Sequence, residues 1–372
     1  MEGLTKYIKV DRFRFLSSLH TTARQLRICS EIISEIGSGI KLERNILVSL
    51  TNWSSEKEQL DESYRNSKGK ITENSKPTSS FNHYIDLCKS LDLISGFNGT
   101  VSNTRLSFLL LSFISTKTEK DNLLNSEKCF YFFILLAYDS DGIFLVLDIL
   151  QRGVLNQISL QQTFQDSLNI RLTAKRELSS GFIKNQINEK FRTINYIWTK
   201  PQKYAEHLLI PRCEWLNQLN LVSIEKRKGS TAYFLTPEGE KMIELLPCLE
   251  ATNITDIDKS WVSSSTFTLF SKLFLKAFQS LNELPFNEKI RLVGISLGKS
   301  LSAVKSSSLF KIPAFESVLF VCIDLLSSNS IVANFDDIHL LLDDGISYGG
   351  RHYSIKSKGR ANESYITVTL LQ

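Results

Sequence analysis

Residues 211–245, PRCEWLNQLNLVSIEKRKGSTAYFLTPEGEKMIEL, hold three pieces in a set order, and that order narrows the fold more than any other part of the chain. Cys213, Trp215, Leu216 and Leu219 place apolar groups on one side of a helix expected over residues 211–220. Leu221, Val222 and Ile224 continue as a strand. Residues 225–230 form a charged turn that contains Gly229, and Ala232, Tyr233, Phe234 and Leu235 return as a second strand, which together is a hairpin signal. Thr236 can cap the helix that follows. Pro237 fits its first position, where a missing N–H costs nothing, and Glu238 and Glu240 suit the positive end of its dipole. Pro211 is expected to open the first helix in the same way.

Helix, basic hairpin, helix resembles the end of many bacterial winged helix-turn-helix domains. The matching positions are Leu219, Leu221, Val222, Tyr233, Leu235, Thr236 and Gly239. The resemblance covers about a tenth of the chain. It implies a DNA-binding module whose recognition helix lies at 211–220 and whose wing lies at 225–230.

The theme recurs. Residues 85–95, IDLCKSLDLIS, align without a gap with residues 213–223, CEWLNQLNLVS, which reads as an internal duplication. The turn after the first copy, GFNGTVSNT, carries no basic residue, so that copy is a better structural or protein-binding element than a DNA wing. Near the C-terminus, apolar helices at 315–326 and 335–342 and short strands at 346–348, 353–355 and 365–370 suggest a third unit of the kind. The expected fold class is mainly α with small β-hairpins (α+β), with tandem winged-helix domains linked by helical segments. The expected division is a first domain over 1–120, a helical linker over 121–181, a central domain over 182–250, a helical region over 251–312 and a last domain over 313–372. Residues 54–80 offer almost nothing apolar to bury and read as a mobile insertion in the first domain. Residues 125–153 read as two apolar helices separated by the polar break at 139–142.

Composition matters mainly for what it removes. The net charge is +5 over 372 residues, which permits a basic face without demanding one. Charge is concentrated locally: residues 181–230 contain nine Lys/Arg and four Glu. The six cysteines form no C-x-x-C pair and read as buried free thiols of a reducing compartment. The N-terminal stretch is charged where a signal peptide needs an apolar core, and no apolar run approaches the ~20 residues of a membrane helix. A cytoplasmic location and no membrane partner are expected.

No phosphate-binding glycine loop, G-x-S-x-G elbow or H-E-x-x-H is present. The closest acidic cluster, Asp336, Asp337, Asp343 and Asp344 with Lys356 beyond it, has Ser354 where a nuclease would place an acid, and reads as solvated helix ends. No catalytic residue, metal or cofactor is assigned. Double-stranded DNA is the expected partner, with other subunits of a complex besides. The expected contacts are Lys200, Lys203, Lys226, Arg227, Lys228, Arg351, Lys356, Lys358 and Arg360 to phosphates, and Arg212, Asn217 and Gln218 to base edges. The alternation of winged helices with apolar helical segments resembles recognition or accessory subunits of bacterial restriction and phage-defence systems. The rival expectation is a protein-interaction scaffold whose winged helices bind proteins.

Overall fold

The helix–hairpin–helix order of the central stretch is present, but its first helix is longer than the pattern suggests. In the computed structural model, which describes residues 10–114, 123–153, 156–227, 230–249, 254–304, 310–357 and 364–371, that helix begins at Pro201. The chain is mainly helical with several small, mostly antiparallel sheets. Its elements run α1 (Leu26–Ile36), β1 (Ile40–Leu42), α2 (Glu43–Leu60), α3 (Glu62–Arg65), β2 (Thr72–Glu73), β3 (Lys76–Pro77), α4 (Ser80–Ser90), β4 (Ile94–Phe97), β5 (Thr100–Asn103) and α5 (Arg105–Ile114). There follow α6 (Asn125–Gln151), α7 (Gln157–Leu178), α8 (Gly181–Arg192), a π-helical turn (Thr193–Ile197), α9 (Pro201–Gln218), β6 (Val222–Arg227), β7 (Ser230–Leu235), α10 (Pro237–Leu245), β8 (Cys248–Leu249) and β9 (Ile254–Thr255). The last part holds α11 (Lys259–Phe274), β10 (Gln279–Ser280), α12 (Phe286–Ala303), β11 (Lys311–Pro313), α13 (Ala314–Asn329), β12 (Ile331–Val332), α14 (Phe335–Asp344), β13 (Ile346–Tyr348), β14 (Arg351–Ser357) and β15 (Ser364–Leu370). Among the described residues no helix is long and apolar enough to cross a membrane.

The chain forms two compact units, each assembled from two separate segments: Met1–Ser102 with Ile134–Val262, and Asn103–Phe133 with Ser263–Gln372. These units cut across the five consecutive stretches expected from the order of elements along the chain.

In the first unit, α1 buries Leu26, Ile28, Cys29, Ile32, Ile33 and Ile36. The Tyr84 hydroxyl of α4 accepts from the Arg24 and Gln25 N–H groups at 3.1 and 3.0 Å, which satisfies donors at the start of α1. Residues 54–80 are not a loose insertion. Helix α2 continues to Leu60, and α3 and the β2–β3 hairpin fold back on it. Polar groups hold them there: Ser54 Oγ lies 2.8 Å from the Tyr64 hydroxyl and 2.6 Å from Thr72 Oγ1, all buried with Ile71. A hydropathy pattern cannot register a core made of hydroxyl pairs.

Helices α4 and α9 end in the same way. The N–H groups of Leu91 and Leu219 bond the carbonyls of Leu87 and Trp215, and those of Leu93 and Leu221 bond Cys88 and Leu216, both at 2.8 Å. Asp92 and Asn220 between them adopt φ of 56° and 62°. This left-handed exit is a common helix stop, and it carries the duplication of 85–95 in 213–223 into the backbone.

A wider order repeats as well. Helix α1, β1, α2, α4 and the β4–β5 hairpin form a set whose sheet has the order β1-β5-β4. In the same unit the second part of α6, α7, α9 and the β6–β7 hairpin follow suit, with an antiparallel bridge from Asn156 to Ala232 of β7 in the place of β1. In the second unit α12, β11, α13, α14, β14 and β15 repeat it, with β11 paired antiparallel to β15. Its core holds Phe133, Phe267 and Phe335 in a stack, and α13 is buried from Ala314 to Leu326 along one side and more.

Helix α6 breaks where polar residues interrupt it: Asp139 has non-helical φ and ψ. Asp139 and Asp141 are fully buried and charge-paired. Asp141 bonds Arg171 Nε at 2.7 Å, Lys175 Nζ at 2.8 Å and the Arg14 N–H at 2.7 Å, and Lys175 also reaches Asp256 at 2.8 Å. Burial alone would raise the Asp141 carboxyl. Lys175 and Arg171 outweigh it and hold the group below its ordinary value.

Candidate nucleic-acid interface

Helix α9 is covered over most of its second half, where the base contacts are expected. Pro201 takes its first position, and Pro211 lies in its interior, where a backbone bond is forfeited. The helix persists through Pro211 because Leu208, Leu209, Ile210, Cys213, Trp215 and Leu216 are all buried. Arg212 is buried too. Its guanidinium bonds both Asp139 oxygens and the Leu208 and Leu16 carbonyls and is shut off from solvent, out of reach of a base. The Gln218 amide is used at both ends, accepting from the Leu26 N–H and donating to the Arg24 carbonyl. Asn217 donates to the Val222 carbonyl at 2.8 Å. These three expected base contacts belong to the packing of the first unit. A motif shows a helix's position in chain order but not which side of it is covered.

The hairpin behind α9 is as expected, and tighter. Strand pairing runs from Val222 with Leu235 to Arg227 with Ser230, so Glu225 and Lys226 lie in the strand and not the turn. Lys226 is exposed, with Nζ 3.4 Å from the Asn66 carbonyl. Lys228, Lys358, Arg360 and the Arg227 side chain lie outside the described residues. Thr236 caps α10 by accepting from the Gly239 N–H. A Cβ at Gly239 would overlap the Leu221 carbonyl oxygen, which explains the glycine of the motif. In the second unit, Arg351 is half-buried at the start of β14 and Lys356 is exposed opposite Tyr365.

An exposed basic surface of the first unit runs from α8 into the first turn of α9. Helix α8 buries only Ile187, and the π-helical turn buries only Ile194. That turn is pinned by reciprocal amide bonds between Asn195 and Asn169 at 2.8 and 2.9 Å. Trp198 stacks between Phe164 and Tyr204, with ring centroids 6.2 and 4.7 Å away. Lys184, Arg192, Lys200 and Lys203 are exposed, and Phe182 and Tyr196 are 75% and 79% exposed among them. Cations bind phosphates and open aromatic faces can stack on bases. Lys200 and Lys203 are among the expected contacts, whereas Lys184, Arg192 and the two aromatic residues are not. The signal that marks them is the alternation of aromatic and basic residues in GFIKNQINEKFRTINYIWTKPQKY.

Two further features lie in this unit. A cavity of about 480 Å³ opens beside the hairpin and includes Arg24, Lys68, Glu214, Asn217, Lys226 and Tyr233 in its lining. Burial raises the Glu214 carboxyl, against the pull of Arg24, whose Nη1 lies 3.4 Å away. Elsewhere, His20 stacks on His83 at 3.6 Å and on His207 at 4.5 Å. Thr22 and Thr21 hydroxyls lie 2.8 and 3.0 Å from the Nδ1 atoms of His83 and His207. Burial, then His83, His207 and Lys203, lowers His20 to about 4. Parallel rings cannot aim their lone pairs at one ion, and among the described residues no group of three or more His, Cys, Asp or Glu is arranged for a metal. The acids of α14 also stay apart. Asp336 and Asp337 occupy its first turn and Asp343 and Asp344 its last, and Asp337 caps the Asn334 N–H at 2.8 Å.

No protein-family model matches the chain, and no curated protein matches it. A solved structure, that of the restriction endonuclease FokI, aligns at a TM-score of 0.29 and 10% identity, over 97% of this chain and 64% of that one. The chain thus spans less than two thirds of the length of that structure. A TM-score this low establishes no common fold.

Proposed function

We propose that this chain is a non-enzymatic DNA-binding protein of three winged-helix modules. The central module meets the duplex through the segment 181–204, which runs from α8 into the first turn of α9, and not through the buried later turns of α9. The winged-helix reading is supported by a repeated order of helices and hairpin found three times, with a first strand antiparallel to the last in two of them and a single antiparallel bridge from Asn156 in its place in the third. The DNA reading rests on one observation: Lys184, Arg192, Lys200 and Lys203 stand exposed in the same stretch of chain as the exposed Phe182 and Tyr196. Replacing the four cations together by Ala is expected to weaken duplex binding alike for all sequences. The slope of log affinity on log salt should shrink by about 0.9 for each phosphate that the variant no longer neutralises. Unchanged affinity and slope in a folded variant would exclude the segment.

A second reading, a protein-interaction scaffold within a multi-protein complex, is favoured by the outer face of the β1-β5-β4 sheet. Ile40 and Leu42 lie opposite Ser102 and Thr100 there, with Ser95 Oγ 3.0 Å from Ser102 Oγ, and Phe97 at the hairpin end is 78% exposed. On this reading the chain binds no duplex even at low salt.

A further inference from the structure

The cavity beside the β6–β7 hairpin has the chemistry of an anion site with an apolar wall. Three cationic side chains border it, Arg24, Lys68 and Lys226, against one carboxylate, Glu214. Lys68 and Lys226 are exposed side chains from separate parts of the chain that meet in the lining of this one cavity. Arg24 is held toward the cavity by its pairing with Glu214. Ile224, half-buried, supplies the apolar side of the lining. Asn217 spends its Nδ2 on the Val222 carbonyl, which leaves its oxygen to accept. A volume of about 480 Å³ falls within the range of small-molecule sites.

We propose that this cavity binds a nucleoside monophosphate unit. Lys68, Lys226 and Arg24 hold the phosphate, the base lies against Ile224, and Asn217 and Glu214 accept from its amino groups. The unit can be a free mononucleotide or the phosphorylated end of a strand, since both present the same chemistry. The site is separate from the surface 181–204 and stands or falls independently of it.

The test uses the full chain. Binding of adenosine and guanosine 5′-monophosphates is measured by calorimetry beside the matching nucleosides, and beside short single strands with and without a 5′-phosphate. The expected result is binding that requires the phosphate, by the free nucleotides or by the phosphorylated strand alone, and the difference identifies the source. The Lys68→Ala/Lys226→Ala variant should weaken it by about tenfold or more, as removal of charge-assisted bonds does. A thermal melt like the parent's shows that the variant is folded. Lys68→Arg/Lys226→Arg should restore most of the affinity. No binding by any of the probes, equal binding of nucleosides, or binding indifferent to both lysines overturns the proposal.

Discussion

Arg212 grips Asp139 through two parallel bonds, Nε to Oδ2 at 2.7 Å and Nη2 to Oδ1 at 2.6 Å, with both side chains out of reach of solvent. Removing one partner leaves a buried charge alone, which typically costs about 3–5 kcal/mol. Arg212→Met is therefore expected to lower the urea midpoint sharply. Adding Asp139→Leu should recover much of the stability, because an apolar pair of similar bulk needs no counter-charge. A single variant that folds like the parent but no longer binds DNA would return Arg212 to the interface.

Trp215 is fully buried and donates from Nε1 to the Ala23 carbonyl at 2.9 Å. Trp215→Ala should cost about 3–5 kcal/mol. Thermal melting of the full chain checks it. A melt like the parent's would mean the ring is not in the core.

Deleting residues 58–76 should give unfolded or insoluble protein. The segment brings Tyr64, Ile71 and Thr72 onto Ser54 of α2. Tyr64→Phe, which removes the hydroxyl that meets Ser54, should cost about 1 kcal/mol. A soluble deletion variant with parental circular dichroism would restore the view of this stretch as dispensable.

Acid should loosen the histidine column. His20 is lowered from 6.5 to about 4 by burial first and then by its ring neighbours, and His83 and His207 are lowered too. Between these values the unfolded chain takes up protons that the folded one refuses. The contribution of the column is thus whole above pH 6.5 and is lost as pH falls toward 4. Urea midpoints across that window should fall less in His20→Gln than in the parent. Parallel curves for the two proteins would show that the stack has no linkage to stability.

Much of this fold can be read from residue order, and much of the candidate site cannot. The pair Leu219 and Leu221 with Thr236, Pro237 and Gly239 marks the hairpin and its capped helix because those residues answer local backbone needs. Helix α12 is hidden from such a reading because Gly294, Ser296 and Ser300 take buried positions and flatten its apolar period. Residues 54–80 resemble solvent-exposed chain because their core is hydroxyls. Arg212 has the look of a base-reading residue because nothing local to it announces Asp139, which lies far away in sequence. Exposure at 181–204 likewise depends on what packs over the neighbouring helices, and no window of sequence holds that information.

The ion cluster sets a timetable for synthesis. Arg14 donates to the Asp141 side chain through its backbone and to the Ile257 carbonyl through its guanidinium, and Lys175 needs Asp256. A ribosome delivers these residues at widely separated moments, so the first unit cannot close as it emerges. Until Asp256 appears, Arg171 and Lys175 share Asp141 alone, and the apolar sides of α6 and α7 wait uncovered. A nascent chain of this kind needs to be held before it is folded. Chains truncated at residue 250 should accordingly yield no protease-resistant core, and a stable fragment of the first hundred residues would show that closure does not wait.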